Sequence, residues 1–346
     1  MSRFRSAMVV VSTIIGLTGF IGGCEREDTS GPKVVKIASV LPETHPSGAA
    51  LLFFKQRLEE LSGGRLSAKI FFDGKIGDAY ATIQQCQDGL LDMTHVSTAN
   101  IARLATLANV LTMPFLWRDL EHQHRMLDGA VGEAVRAEVA PYSVSLLAFF
   151  DAGTRNMTTR KGPIRTPEDL ANMKIRVMDN PLMIETVNAL GAQAIPLKQD
   201  EVYHALETGL LDGWENNAST ILAFRMYETG CKYYAWTRHF AVPDVLLAGE
   251  AFLKGLTEQQ RQWLDKAVAE TVAKQRQLWA ESEQEVMKTL TEKGMEINEV
   301  DLDAFRARVK PIYDKYRAQM EPEYTALLDK IQAAFNSPAS APARAN

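Results

Sequence analysis

The sequence predicts an α/β protein of two similar domains bridged by one long helix. Three observations carry that reading. The 346 residues suggest about two domains at roughly 150 residues each. Residues 34–96 alternate short β-branched runs with amphipathic helical patterns, strand-helix-strand-helix-strand, which is the pattern of a parallel α/β sheet. From Thr257 to about Lys293 helical patterning runs without a break, and ~37 residues at 1.5 Å each would span about 55 Å, more than one small domain.

Composition narrows the class. Hydrophobic residues make up 46% and charged residues 23%, so a disordered or fibrous chain is excluded. The net charge of −5 carries no electrostatic footprint for nucleic acid. An acidic protein that holds an anion must do so with a few placed cations rather than a general positive field.

The N-terminus reads as a targeting segment. Arg3 and Arg5 form a charged n-region, and Ala7 to Ile21 is an apolar run of 15 residues broken by Ser12, Thr13 and Thr18. A membrane span needs ~20 residues, so residues 1–23 are predicted to be a signal peptide. Ile21-Gly22-Gly23-Cys24 resembles a bacterial lipoprotein cleavage site, with Cys24 as the lipidated first residue. The alternative is an ordinary signal peptide with a chance cysteine. Cleavage before Cys24 leaves 346 − 23 = 323 residues and, without Arg3 and Arg5, a net charge of −5 − 2 = −7. The mature chain is expected to be soluble apart from any lipid. Cys86 and Cys231 show no CxxC spacing, which excludes thioredoxin-like and metal readings. They form either a disulfide in an oxidising compartment or two buried thiols.

The elements follow in order. Residues 24–33 (CEREDTSGPK) read as a tether. Val34 to Val40 is a first strand. Ser47 is the expected cap of a helix over 48–61, with Leu51, Leu52, Phe54, Leu58 and Leu61 on one stripe, and Gly63-Gly64 stops it. Leu66 to Phe72 is a second strand. Asp78 starts a helix that Gly89 ends, and Leu90 to Val96 is a third strand. Helical patterning covers about 119–139, and Ser143 to Phe150 is an apolar strand. Polarity changes abruptly at Asp151 to Asn156, the expected crossing into the second domain. Thr166, Pro167 and Asp169 mark a helix start as N-cap, N1 and N3. A faint echo links Gln87-Asp88-Gly89-Leu90-Leu91-Asp92 to Glu207-Thr208-Gly209-Leu210-Leu211-Asp212; each sits where a helix stops and a strand begins. Lys232 to Trp236 and Val242 to Ala248 read as further strands. The long helix has Thr257 and Gln260 as a capping box and a stripe from Leu264 through Trp279 to Leu290. Residues 337–346 (SPASAPARAN) are low-complexity and expected to be disordered.

No enzyme motif stands out. There is no GxSxG elbow, P-loop or CxxC pair, so no catalytic residue, metal or cofactor is expected. His122 and His124 lie in a charged segment (EHQHR) that reads as a solvated helix face. His45, His95, His204 and His239 have no ligand spacing. Arg176 is the sharpest single residue. It sits among apolar neighbours in Lys174-Ile175-Arg176-Val177-Met178, and a guanidinium beside a buried strand needs a partner. Its planar fork matches a carboxylate. The alternatives are an edge-strand arginine facing water or one paired with a structural carboxylate. Arg155, at the crossing, would floor an interdomain cleft or form a hinge salt bridge. Asn216 and Asn217 end a strand, where amides suit hydroxyls; capping the next helix is the other reading, and the favoured one for Asn217.

From Val35 to about Leu290 the sequence resembles the substrate-binding proteins of tripartite ATP-independent periplasmic (TRAP) transporters. The resemblance rests on Ile76-Gly77-Asp78, Asp151 to Asn156, Met173 to Val177, Gly191-Ala192, Glu201-Val202-Tyr203 and Asp212 to Asn217, in order and at family spacing. It implies a two-lobed periplasmic-binding-protein fold with crossing strands and a long helix bridging both lobes. The lobes would be residues 34–150 with 242–280, and 151–241 with 281–336. It implies closure on an organic acid, with Arg176 holding the carboxylate, Arg155 assisting and Asn216 at a strand end. In the sialic-acid branch a glutamate follows the third strand where this chain has Ser97, so that ligand is not expected. Asn216-Asn217, the segment 153–156 and Val96-Ser97 look like the branch that binds sugar acids such as glucuronate or galacturonate. There a glutamate in the first loop faces the ligand, which implies Glu43, with Ser97 and Asn156 on the hydroxyls. Dicarboxylates and short hydroxy or keto acids are the alternative ligands. The implied setting is a periplasmic monomer, lipid-anchored through Cys24, that serves TRAP permease subunits in the membrane. The competing functions are an exported hydrolase or lyase using His95, His239 or Glu215 as base, and a sensor partner that docks a receptor.

Overall fold

Eleven strands form in chain order: β1 (Lys33–Ser39), β2 (Leu66–Phe71), β3 (Met93–Ser97), β4 (Val144–Phe150), β5 (Arg155–Thr159), β6 (Lys174–Val177), β7 (Gln193–Pro196), β8 (Gly213–Asn216), β9 (Tyr233–Phe240), β10 (Asp244–Gly249) and β11 (Glu296–Asn298). The structure is a computed structural model that describes residues 32–336. The predicted signal peptide, Cys24, most of the tether and the tail from Ser337 therefore lie outside the described residues.

The strands divide between a five-stranded sheet, order β2-β1-β3-β10-β4, and a six-stranded sheet, order β11-β9-β5-β8-β6-β7. In the first sheet β1, β2 and β3 are parallel and β10 is antiparallel between β3 and β4. In the second, β6, β7 and β8 are parallel and β5 is antiparallel between β8 and β9. The chain crosses from the first sheet to the second at residues 151–154 and returns at 241–243. This is the two-lobed α/β architecture the sequence predicts, and each crossing inserts one antiparallel strand.

The sequence echo marks equivalent joints in the two sheets. Gly89 (φ +72°) follows the helix Ala79–Gln87 and leads to β3; Gly209 (φ +76°) follows the helix Gln199–Glu207 and leads to β8. Asp92 then accepts the Lys36 amide at 2.7 Å, and Asp212 the Lys174 amide at 2.8 Å. In both places an aspartate ties the strand entry to its parallel neighbour.

The long helix, Glu258–Glu292, runs 35 residues unbroken behind its Thr257–Gln260 capping box. Leu264, Ala267 and Val268 pack on a core with Val35, Phe54 and Leu246 of the first sheet's side. Val286 and Leu290 pack with Trp214 and Tyr234 of the second. Between them Gln275 clasps the first crossing: its Nε2 donates to the Asp151 carbonyl at 2.8 Å and its Oε1 accepts the Asp151 amide at 2.9 Å. Trp279 lies against Gly153, where φ is +58° and an added Cβ would come 2.6 Å from the indole Cζ2. Glycine is required there by conformation and by space.

Some local readings are corrected. His45, not Ser47, caps the first helix, Pro46–Ser62: His45 is extended and its Nδ1 accepts the Ser47 amide at 3.1 Å, with Pro46 fixed at N1. The 119–139 pattern breaks at Gly129 into helices Leu120–Leu127 and Ala130–Val139. His122 and His124 are not a solvated face. His122 is fully buried with Nε2 3.1 Å from the Ile331 carbonyl, and His124 reaches the Asp151 carboxylate at 2.6 Å. The last helix, Pro322–Ala333, places Tyr324, Leu327 and Leu328 in a core that holds Val131 and Val135 as well as Ile175 and Val177 of the second sheet's side. Cys86 and Cys231 are free, buried and in separate cores, so no disulfide links them.

The bracing of the crossing by the long helix is testable. Gly153→Ala is expected to cost about 2 kcal/mol or more through backbone strain and overlap with Trp279. Trp279→Leu in the same chain should recover part of that loss in urea denaturation. Strictly additive losses would show that Trp279 does not press on residue 153.

Candidate functional site

A cavity of about 170 Å³ lies between the two sheets, at the carboxyl ends of β3, β6 and β8 and the amino ends of β5 and β10. Open α/β sheets place ligands in this position, because strand ends and their loops leave polar groups uncommitted there. Of the sequence candidates, Arg155, Arg176, Asn216 and Ser97 line it.

Arg176 occupies β6, which is flanked by β7 and β8 and so is not an edge strand. Ile175 and Val177 point into the core, and strand alternation turns Arg176 to the opposite face. It is 3% exposed. Its Nε and Nη2 both donate to the Leu197 carbonyl, at 2.9 and 2.7 Å. Its Nη1 is buried and makes no hydrogen bond among the described residues. Burial pushes its pKa down to about 10, partly offset by the Glu215 charge. A structural carboxylate partner is therefore not what holds this guanidinium. One carbonyl orients it, and one nitrogen is left over at the cavity.

Arg155 is differently placed. Its Nε and Nη2 reach the Glu215 carboxylate at 2.5 and 2.8 Å, Nη2 also donates to the Glu215 carbonyl, and Nη1 donates to Asn216 Oδ1 at 2.9 Å. Glu215 is fully buried. Burial alone would raise its pKa, but the Arg155 charge and hydrogen bonds from Arg155 hold it down to about 2. His239 sits 3.7 Å from that carboxylate and shares a 2.8 Å hydrogen bond with Thr237; burial lowers its pKa, against the pull of Glu215. The Arg155–Glu215 pair is thus a closed structural unit that positions Asn216. The Asn216 Oδ1 is occupied by Arg155 and by the Asn217 amide at 2.9 Å, which leaves its Nδ2 donors free for the cavity. Asn217 also lines the cavity while capping the helix Ala218–Ala223 through the Thr220 amide.

Two candidates do not line the cavity. Asn156 neighbours Arg155 on β5, and alternation turns it the other way: its Nδ2 donates to Tyr234 Oη at 2.7 Å and its Oδ1 accepts the Arg238 amide. Glu43 is exposed, because the first loop is drawn inward at His45 instead. His45 is 1% exposed, stacks near Trp279 at 5.8 Å and reaches Thr220 at 3.3 Å.

Other residues at the cavity escaped the sequence reading. Asp244 opens β10 beside Ser97, its direct partner on β3, and lies 3.5 Å from His95 Nε2. The signal was available: one aspartate inside Ala241-Val242-Pro243-Asp244-Val245-Leu246-Leu247, as with Arg176 in β6. At the mouth, Lys198 pairs with Asp78 at 2.5 Å, Tyr80 Oη donates to the Asp179 carbonyl at 2.7 Å, and Arg103 pairs with the Asp179 carboxylate. These contacts join the helix after β2 and the turn after β3 to the ends of β6 and β7, so the cleft is closed over the cavity.

Comparison with known proteins gives one consistent answer. Residues 37–319 match the profile of DctP, bacterial extracellular solute-binding protein, family 7. A solute-binding protein of Chromohalobacter salexigens is 33% identical over 297 residues, 86% of this chain and 88% of the relative. The 2,3-diketo-L-gulonate-binding periplasmic protein YiaO of Escherichia coli is 32% identical over 83% of this chain and 88% of its own length. A TRAP periplasmic solute binding protein from Sulfitobacter sp. NAS-14.1 with bound β-D-galacturonate matches with a TM-score of 0.84 and 31% identity, covering 87% of this chain and 100% of that one. Another from Chromohalobacter salexigens with bound D-glucuronate gives a TM-score of 0.84 and 32% identity, covering 87% and 99%.

The two arginines should separate in stability measurements. Arg155→Ala strands the buried Glu215 charge and is expected to cost about 3–5 kcal/mol in denaturant melts of the ligand-free protein. Arg176→Met removes a buried charge that has no counter-charge in direct contact and should change stability by no more than about 1 kcal/mol. Equal losses would contradict the different roles given to them.

Proposed function

The chain belongs to the bacterial extracellular solute-binding proteins of family 7, and on that premise we propose that it captures a sugar acid between its two sheets and passes it to a separate membrane permease. The observation that carries this reading is the Arg176 Nη1, buried at the cavity with no acceptor among the described residues. A carboxylate is the group that fits. It supplies the missing acceptor and the counter-charge together. Water exclusion by the closed cleft then strengthens the pair, so the ligand favours the closed state by its differential contacts.

The remaining wall suits hydroxyls. Asn216 Nδ2, Ser97 and Asn217 offer neutral donors and acceptors, and Arg155, neutralised by Glu215, holds Asn216 in place. Relatives with galacturonate and glucuronate bound support a hexuronate as the ligand. The protein works in the periplasm, as its family does. Residues 34–150 with 242–280 form one lobe in this reading and 151–241 with 281–336 the other, with the long helix crossing between them.

Binding without turnover is consistent with the three bases the sequence offers. Glu215 is clamped by Arg155, and burial pushes His95 down to about 4 and lowers His239. None of the three stands free beside the cavity as a base poised near neutral pH. We also propose that Cys24, which lies outside the described residues, anchors the exported chain through lipid.

Calorimetry with D-glucuronate and D-galacturonate tests the function. The wild-type protein should bind at least one, and Arg176→Ala should weaken binding by about 3 kcal/mol or more, over a hundredfold. Unchanged affinity would remove Arg176 from the site. Prolonged incubation should return the acid unaltered; product would favour the enzyme reading. For the anchor, Cys24→Ser should move the protein from the membrane to the soluble fraction. A wild-type protein already found in the soluble fraction would end that part of the proposal.

A further inference from the structure

Resting on the proposed capture of an organic acid, we infer that Asp244 is a specificity-determining residue: it confines the cavity to ligands with a single carboxylate and hydroxyls against the first sheet's wall. The argument starts from its position. Asp244 is the first residue of β10, at the point where the second crossing enters the first sheet. Arg155 is the first residue of β5, at the corresponding point of the other crossing. The two crossings therefore present opposite charges to one cavity.

The Asp244 carboxylate is costly where it stands. The residue is 9% exposed, its carboxylate opens onto the cavity, and burial and the Arg155 charge, with no hydrogen bond among the described residues, set its environment. His95 Nε2 is the nearest partner at 3.5 Å, and that nitrogen also makes no hydrogen bond among the described residues. His95 is 1% exposed, fixed by Ser39 Oγ at 3.3 Å and by the Phe150 ring at 5.4 Å. Burial pushes Asp244 up to about 7, against the pull of Arg155. A buried carboxylate and a buried imidazole nitrogen, side by side and both short of partners, call for groups from outside.

Chemistry decides which groups. A hydroxyl donates to the carboxylate and accepts or donates at the imidazole, so vicinal hydroxyls satisfy both. A second ligand carboxylate cannot. It would meet Asp244 as a like charge, on a wall whose histidine is held neutral. The nearest cation, Arg155, is already matched by Glu215. Like charges brought together at a desolvated site discriminate by several kcal/mol. Asp244 thus complements Arg176: one residue demands a carboxylate, and the other rejects a second.

The test compares D-galacturonate with galactarate, its dicarboxylate counterpart, by calorimetry at about pH 8, above the Asp244 value of about 7. Wild type should hold galacturonate at least about a hundredfold tighter. Asp244→Asn keeps the shape and removes the charge. It should cut that ratio at least tenfold, with galactarate bound more tightly in absolute terms than by wild type. Asp244→Ser, with a smaller neutral side chain, should shift the ratio the same way. A merely structural aspartate would weaken both acids alike and give galactarate no gain, which would overturn the inference. So would a wild type that holds galactarate as well as galacturonate. A wild type that binds neither of these acids is tested the same way with D-glucuronate and glucarate; failure to bind either hexuronate would sink the proposed function and this inference with it.

Discussion

A buried guanidinium held by one backbone carbonyl is the constraint on which the rest of the molecule turns. Arg176 spends Nε and Nη2 on Leu197 and has nothing for Nη1. Leaving such a group unpaired is unfavourable, and proteins keep that arrangement where a ligand completes it. β6 must be an interior strand to bury the residue. β7 must end at Pro196, so that the Leu197 carbonyl behind it can orient the guanidinium. The cleft must close for the desolvation to matter. The second sheet meets the first two requirements, and contacts between the two sheets' loops meet the third.

The crossings make closure possible and the long helix limits it. Two segments join the sheets, at 151–154 and 241–243. Gln275 and Trp279 press on the first of them from mid-helix. The mouth is then held by exposed contacts, Lys198 with Asp78 and Arg103 with Asp179. Exposed pairs of this kind are worth little individually. A weakly latched mouth over a braced hinge is what a protein needs if it must both trap a ligand and release it.

Much of the fold was legible in the sequence because local signals and global architecture agree. The Thr257–Gln260 box, the Asp78 cap and the Gly89 and Gly209 stops each serve the element they mark. What was missed depended on distant packing. Nothing in EHQHR says that His122 will lie under the last helix or that His124 will meet Asp151. Pro46 shifted the first cap by two residues. At the site, Arg176 and Asp244 show the same signature, one charge inside an apolar strand. Resemblance raised Arg176 and passed over Asp244, and it offered Glu43 and Asn156, which face elsewhere. Asn156 adjoins Arg155 on β5, and alternation turns it to the opposite face, where it bonds Tyr234.

The cavity that results is polarised across its two walls. The second sheet contributes Arg176 and the neutralised Arg155–Glu215 unit, and the first contributes Asp244 and a neutral His95. A crystal structure of the protein grown with D-galacturonate tests this account most directly. A ligand carboxylate oxygen within about 3 Å of Arg176 Nη1 is the predicted result. A carboxylate bound elsewhere in the cleft, with Nη1 still without an acceptor, would contradict it.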